Sequence, residues 1–135
     1  LHTAHPRSAA EFYVQHLGFE AIVDLEWFVC LQHPDHSSLE LALVQKDHEA
    51  VPESYRGEST ANVGLAFFVE DVDAEAARLT AAGVQVLLPA HTEPWGQRRF
   101  QLRGPGGAVV EVLQVVEPDP QWMTANVPGS GGSEA

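Results

Sequence analysis

The chain is poor in positive charge. Of 135 residues only 7 are Lys or Arg, against 19 Asp or Glu, for a formal net charge of −12. Binding a phosphate backbone needs clustered Lys and Arg. Arg98, Arg99 and Arg103 form the sole basic cluster, which argues against nucleic acid as a partner. The acidity serves solubility, and it would also attract a cationic ligand; charge sets a field, not a site. Cysteine is nearly absent. Cys30 alone leaves no intrachain disulfide, and the default compartment is a reducing cytoplasm. Such a lone strand cysteine reads as a small buried hydrophobe. No apolar run approaches the roughly 18 residues of a membrane span, so no membrane partner is expected. No signal peptide is visible. The chain opens on Leu1 rather than Met, and upstream residues are expected to be missing.

What is present is a duplication. The stretch from Glu93 to Val112 reads as loop, strand, tight turn and strand, with Gly104-Pro105-Gly106-Gly107 as the turn. Pro presets φ there and Gly supplies positive φ. Moved back by 71 positions, Phe100 falls on Val29, Leu102 on Leu31, Pro105 on Pro34, Val110 on Leu39, Glu111 on Glu40 and Val112 on Leu41. Glu111 sits on a mostly apolar strand face with Val109 and Leu113, opposite Val110, Val112 and Gln114. A carboxylate there is either solvated at an edge or faces a cavity for a purpose. The helix ends repeat at a shorter offset: Leu17-Gly18-Phe19 matches Ala82-Gly83-Val84 at 65. The second half is therefore expected to carry about six extra residues, a loop at 89–96 that includes Trp95.

Local signals fill in the halves. Ser8-Ala9-Ala10-Glu11 has capping-box spacing, which predicts a helix from there to Leu17 with Ala9, Phe12, Tyr13, His16 and Leu17 inward and Gly18 as its αL cap. His16 reads as an amphipathic side chain at the helix end. Strands are expected at 19–23, 27–32 and 39–45, with His33-Pro34-Asp35-His36 as a turn. Residues 47–62 read as a linker or lid loop whose one large side chain is Tyr55. In the second half, 63–69 reads as a central strand, Asp73 as N-cap of a helix over 74–82 with Ala76, Leu79 and Ala82 inward, and 84–88 as a strand. Past Glu117 periodicity is lost, and 128–133 reads as a flexible tail. Trp122 and Met123 are placed to dock on the body or on a partner chain.

The fold class expected is therefore α+β: two tandem βαβββ modules forming a curved mixed sheet with a cleft and the helices outside. Module one covers 1–46, the linker 47–62, module two 63–116, together one domain, and 117–135 a C-terminal extension. Each half is too small to close a core alone, so the two must share one. Glu40 and Glu111 would face the same kind of cleft.

This chain resembles the vicinal oxygen chelate superfamily, the glyoxalase, bleomycin-resistance and extradiol-dioxygenase fold, over residues 1–116. The resemblance is carried by Phe12-Tyr13 with Leu17-Gly18-Phe19, by Glu70-Asp71-Val72-Asp73 with Ala82-Gly83-Val84, and by Pro94-Trp95-Gly96 leading to the Gly-Pro turn and Glu111. It implies the fold but no single function. Metal enzymes of this superfamily resemble one another in four ligands, one on the first and one on the last strand of each module. Glu40 and Glu111 match the last-strand positions. Gly64 stands where the second module's usual His would be, and the first module's equivalent falls before Leu1. Two carboxylates make a poor site for zinc or nickel, which want three or four ligands including imidazole. Cys30, His33 and His36 show C-x2-H-x2-H spacing, but His33 matches a turn glycine of the other half, and a turn with solvated His is expected. His91 reads as a surface-loop residue near Trp95.

The antibiotic-binding branch is the closer resemblance, for it too carries a Pro-Trp-Gly loop whose Trp lies against the planar part of the ligand. The resemblance thus implies Trp95 as the first ligand contact. Trp27 and Phe28 are candidate opposing walls, one of the two expected to turn into the core. Glu40 and Glu111 would supply negative potential and Arg99 or Gln101 a hydrogen bond, with Tyr55 a further candidate contact. The expected activity is sequestration of a small aromatic or cationic ligand, without catalysis or cofactor, by a cytoplasmic homodimer with shared sites. The alternative is a metal-dependent lyase, isomerase or dioxygenase using a divalent ion on Glu40 and Glu111.

Overall fold

The computed structural model describes residues 1–57 and 63–129. The chain divides into two compact units, Leu1–Val63 with Gly104–Val109, and Gly64–Arg103 with Val110–Ala135. Each contains a four-stranded mixed sheet and a helix in βαβββ order, as expected from the duplication. Among the described residues no helix is long and apolar enough to cross a membrane.

In the first unit, β1 (His2–Thr3), α1 (Pro6–Leu17), β2 (Glu20–Asp24), β3 (Phe28–His33) and β4 (His36–Gln45) form a sheet in the order β1-β4-β3-β2. β1 runs parallel to β4 with His2 beside Val44; the other pairs are antiparallel. The expected capping box is absent. α1 starts three residues earlier, with Pro6 in its first turn and His5 as an N-cap that makes no side-chain bond. Pro suits this position because its missing N–H would have no helical partner. Gly18 closes the helix at φ 75°, as predicted. Tyr13, Val29, Leu31, Leu43 and Val51 are fully buried in this unit. His33 is not a solvated turn residue: its Nε2 lies 3.1 Å from the Leu17 carbonyl and its ring packs edge-on against Phe19. The linker contains one turn of 3-10 helix at Glu53–Tyr55. The turn Pro105–Gly107 also belongs to this unit, where it packs on α1 and β1.

In the second unit, β5 (Gly64–Phe68), α2 (Val72–Ala81), β6 (Val86–Glu93), β7 (Gln97–Arg103) and β8 (Val109–Val115) give the order β5-β8-β7-β6. β5 ends this order rather than lying centrally, and its burial alternates along the strand. The N-cap of α2 is Asp71, not Asp73: Asp71 Oδ1 accepts from the Ala74 amide at 3.1 Å. Asp73 is instead bound by the Arg98 guanidinium at 2.7 and 2.9 Å. Val72 and Leu79 fill the inward face; Ala82 is exposed. The Val72 amide donates to Gln114 Oε1, consistent with Gln114 sharing a face with Val110 and Val112.

The six added residues lengthen a strand instead of forming a loop. β6 continues through Pro89 to Glu93, with two register shifts before His91 pairs with Arg99 and Glu93 with Gln97. As an edge strand β6 tolerates Pro89, whose missing donor need not meet a neighbour. Only 94–96 turns. Gly96 has φ 98°, and a Cβ there would meet the Val116 carbonyl at 3.0 Å, so no larger residue fits without displacement. Val116 and Asp119 donate backbone bonds to Gly96 and Pro94, at 2.9 Å each. These tie down a helix absent from the sequence reading, α3 (Pro120–Asn126), whose N-cap Asp119 accepts from Gln121 and Trp122 amides. Residues 130–133 of the expected tail lie outside the described residues.

Candidate functional site

Strand alternation builds the site. On β7 and β8 of the second unit, Phe100, Leu102, Val110 and Val112 are buried. Alternation turns Arg99, Gln101 and Glu111 to the opposite face. There Arg99 Nη1 donates to Glu111 Oε1 at 2.6 Å, and Gln101 Nε2 donates to the same oxygen at 3.1 Å. Arg99 Nε and Nη2 donate to Glu93 Oε1 at 3.1 and 2.9 Å. His91 Nε2 bonds Glu93 Oε1 from the other side, and His91 Nδ1 lies 2.9 Å from the Pro89 carbonyl.

Trp95 sits in the turn between β6 and β7 and is 39% exposed. The Arg99 guanidinium carbon lies over its ring, 5.6 Å from the centroid. The indole N–H donates to Gln97 Oε1 at 2.8 Å. Trp122 of α3 approaches to 5.8 Å between ring centroids, tilted by 52°. Four expected contacts, Trp95, Arg99, Gln101 and Glu111, therefore meet on one face.

The electrostatics follow from the shared carboxylates. The bond from Glu111 comes first among the causes that raise the Arg99 pKa, so its charge is fixed. His91 is raised above 6.5, first by the Pro89 carbonyl and then by Glu93. Burial works against charge on Glu93, but bonds from His91 and Arg99 outweigh it and hold its carboxyl low. Glu111 is thus paired with Arg99 rather than a bare negative charge.

The remaining candidates lie in the first unit. Glu40 is exposed, and Cys30 donates to its Oε2 at 3.4 Å. Burial, then Glu40, pushes the Cys30 thiol pKa up, so the thiol is not primed as a nucleophile. Trp27 stacks on His48 with centroids 3.9 Å apart and planes within 4°. It lines an open depression of about 600 Å³ with His5, Arg7, Ser8 and Glu26 at the start of α1. Phe28 lies 5.6 Å from Trp27. Both are half-buried. Tyr55 is 61% exposed. Sequence reasoning missed Glu93 and Gln97 and misplaced His91 in a loop, whereas Trp122, expected to dock on the body or on a partner chain, lies against Trp95. The signal was there: His91 and Glu93 at period two, and Asp119-Pro120 as a helix start.

A divalent ion does not fit these residues. Gly64 has no side chain, and a Cβ built on it meets nothing within 4 Å. Glu111 is engaged by Arg99. Among the described residues no group of three or more His, Cys, Asp or Glu is arranged to hold a metal. The Cys30, His33 and His36 set is spent on Glu40, on the Leu17 carbonyl and on ring contacts.

A profile of the Glyoxalase/Bleomycin resistance protein/Dioxygenase superfamily matches residues 1–112. The chain belongs to this superfamily. Its fold is shared by a glyoxalase/bleomycin resistance protein/dioxygenase from Nocardioides, 25% identical, with 87% of this chain and 80% of that one covered and a TM-score of 0.71. TnmS3, an antibiotic binding protein from Streptomyces sp. CB03234, is 24% identical over 85% of this chain and 92% of its own, with a TM-score of 0.65. A lactoylglutathione lyase from Agrobacterium tumefaciens is 23% identical over 84% and 88%, with a TM-score of 0.67. The last two show the shared fold alone, one a binder and the other an enzyme. No curated protein sequence matches the chain. Within the superfamily, then, function must be argued from this site.

Proposed function

We propose that this superfamily member binds and sequesters a flat small molecule, such as an aromatic natural product, on the face of its second sheet, without catalysing a reaction. The observation that carries the reading is Trp95: a large, rigid π surface, 39% exposed, between Arg99 and Trp122. Exposed Trp beside polar groups is a common way to hold a planar ligand. The antibiotic-binding TnmS3 shares the fold, which is consistent with sequestration. The metal-enzyme alternative draws less support, because Gly64 offers no ligand and Arg99 engages Glu111.

Trp95→Ala is expected to weaken binding of the best flat ligand in a fluorescence-quenching panel by about tenfold, as for loss of one stacked aromatic. Unchanged affinity would remove Trp95 from the site. A homodimer is part of the same reading, supported by exposed apolar Ile22, Leu25 and Leu39 in the first unit. A monomer in sedimentation at the concentrations used for binding would discard it.

A further inference from the structure

We infer that α3 is a lid: Trp122 and a flat ligand compete for Trp95, and the helix comes away beyond Asp119 when the ligand takes the indole. The inference rests on the sequestration reading and adds the control of that site. α3 lies past residue 112, where the match to the superfamily profile ends.

The segment is anchored at its root and lightly held along its length. At the root, the Val116 and Asp119 amides donate to the Gly96 and Pro94 carbonyls at 2.9 Å each. Pro118 packs so near Gly96 that a Cβ on the glycine would lie 3.1 Å from the Pro118 Cβ. Pro118 and Pro120 fix φ on either side of Asp119. Past the root, none of the 7 residues of α3 is buried. Trp122 and Met123 are half-buried and the rest are exposed. The helix also closes bonds within itself. Asp119 Oδ1 accepts from the Gln121 and Trp122 amides, Thr124 Oγ1 donates to the Pro120 carbonyl at 2.9 Å, and Asn126 Nδ2 donates to the Trp122 carbonyl at 2.8 Å. So short a helix does not hold without docking. Docked on the β6–β7 turn it forms; undocked it frays, and Trp122 is the latch.

Two groups share the Trp95 indole with any ligand. The Arg99 guanidinium lies over the ring, pinned by its bonds to Glu93 and Glu111. Trp122 meets the ring at 5.8 Å with a tilt of 52°, far from the parallel stack that Trp27 makes on His48 at 3.9 Å and 4°. A flat ligand can lie parallel on Trp95 and so gains more of its surface than Trp122 holds. Trp95 is fixed separately, through its N–H bond to Gln97. The result is a fixed wall under a movable cover. Apparent affinity is then the intrinsic affinity scaled by the fraction of chains with the cover open.

The test uses two flat probes on the whole chain, 9-aminoacridine and pyrene-1-sulfonate, followed by calorimetry and by hydrogen exchange of the α3 amides. Trp122→Ala should tighten binding of both by about tenfold, because the latch is gone. Asp119→Ala keeps Trp122 and removes only the helix cap, so it should tighten binding by about threefold. The same direction with a cationic and an anionic probe separates the lid from the lost charge. Saturating probe should speed exchange at 121–127 in the wild type while β7 and β8 stay protected. Circular dichroism confirms that each variant is folded. A probe bound by Trp122→Ala and not by the wild type also supports the lid. Weaker or unchanged binding in either variant, or α3 exchange that bound probe slows or leaves unchanged, overturns this inference alone and leaves sequestration standing. Neither probe bound by any of the three proteins overturns the sequestration reading and this inference together.

Discussion

Glu40 and Glu111 occupy the same place in the two modules, and their surroundings differ in kind. Each accepts a bond from the residue ten positions earlier, Cys30 to Glu40 and Gln101 to Glu111. Two residues before that donor the modules part: Phe28 in the first, Arg99 in the second. Glu40 is left exposed with a weak thiol donor, whereas Glu111 is half-buried under a guanidinium. The lengthened β6 adds Glu93 and His91, and the following turn adds Trp95; these have no counterpart in the first module. The two modules therefore share the scaffold of a strand carboxylate, and the second sets it in an ion-paired, aromatic-walled face. A repeat in sequence is evidence for shared backbone geometry, and the environment of each copy has to be read separately.

The equivalence of the scaffolds can be broken most directly at the core. Leu31 and Leu102 are counterparts, both fully buried. Leu31→Ala and Leu102→Ala should each cost about 2–5 kcal/mol in urea unfolding, and by similar amounts. A gap of more than about 2 kcal/mol between them would show that the two sheets are not packed alike.

A smaller effect separates the helices. Tyr13 in α1 is fully buried, and its hydroxyl has no hydrogen-bond partner among the described residues. Its counterpart, Arg78 in α2, lies at the surface and pairs with Glu75 at 2.6 Å. Tyr13→Phe should leave stability unchanged or raise it by up to about 1 kcal/mol, because an unsatisfied polar group is removed. Burial pushes the Tyr13 pKa from 10.0 to about 12. A pKa raised on folding means that the unfolded chain releases the proton first. The stability present below pH 10.0 is then lost as pH rises towards about 12. Tyr13→Phe should flatten that alkaline loss; an equal slope in both proteins would mean that another group causes it.

The smallest effect tests the face peculiar to the second module. His91 faces Glu93 on its own strand and Arg99 on β7, with Glu111 beyond on β8. Its pKa is raised on folding, so protonated His91 stabilises the fold below 6.5, and this contribution disappears as pH rises through the raised value. Melting temperatures at about pH 6 and about pH 8 should differ more in the wild type than in His91→Asn, since His titrates between them. No change in that difference would separate His91 from the network.

Much of this was legible from local signals. Gly18 and Gly83 were expected as helix-ending glycines and have φ 75° and 81°. The period-two alternation of Phe100 and Leu102 with Arg99 and Gln101 was expected to divide two faces of a strand, and it does. Less legible was which of two nearby acids caps a helix. Asp71 and Asp73 are equally good candidates by residue type; Arg98, 25 positions away, binds Asp73 and leaves Asp71 as cap. The growth of the offset from 65 to 71 located the extra residues at 89–96 but not their conformation; they lengthen β6, an edge strand that tolerates Pro89.

The sequence by itself determined the duplication, the αL glycines, the strand faces and the spacing of Glu40 and Glu111. Those are periodic or short-range features, decided by backbone sterics and by which side chains alternate. Only the tertiary structure decided that Arg99 would bridge Glu93 and Glu111, and that α3 would bring Trp122 to Trp95. Such pairings depend on register across neighbouring strands and on where a distant helix docks, quantities that no local pattern along the chain encodes.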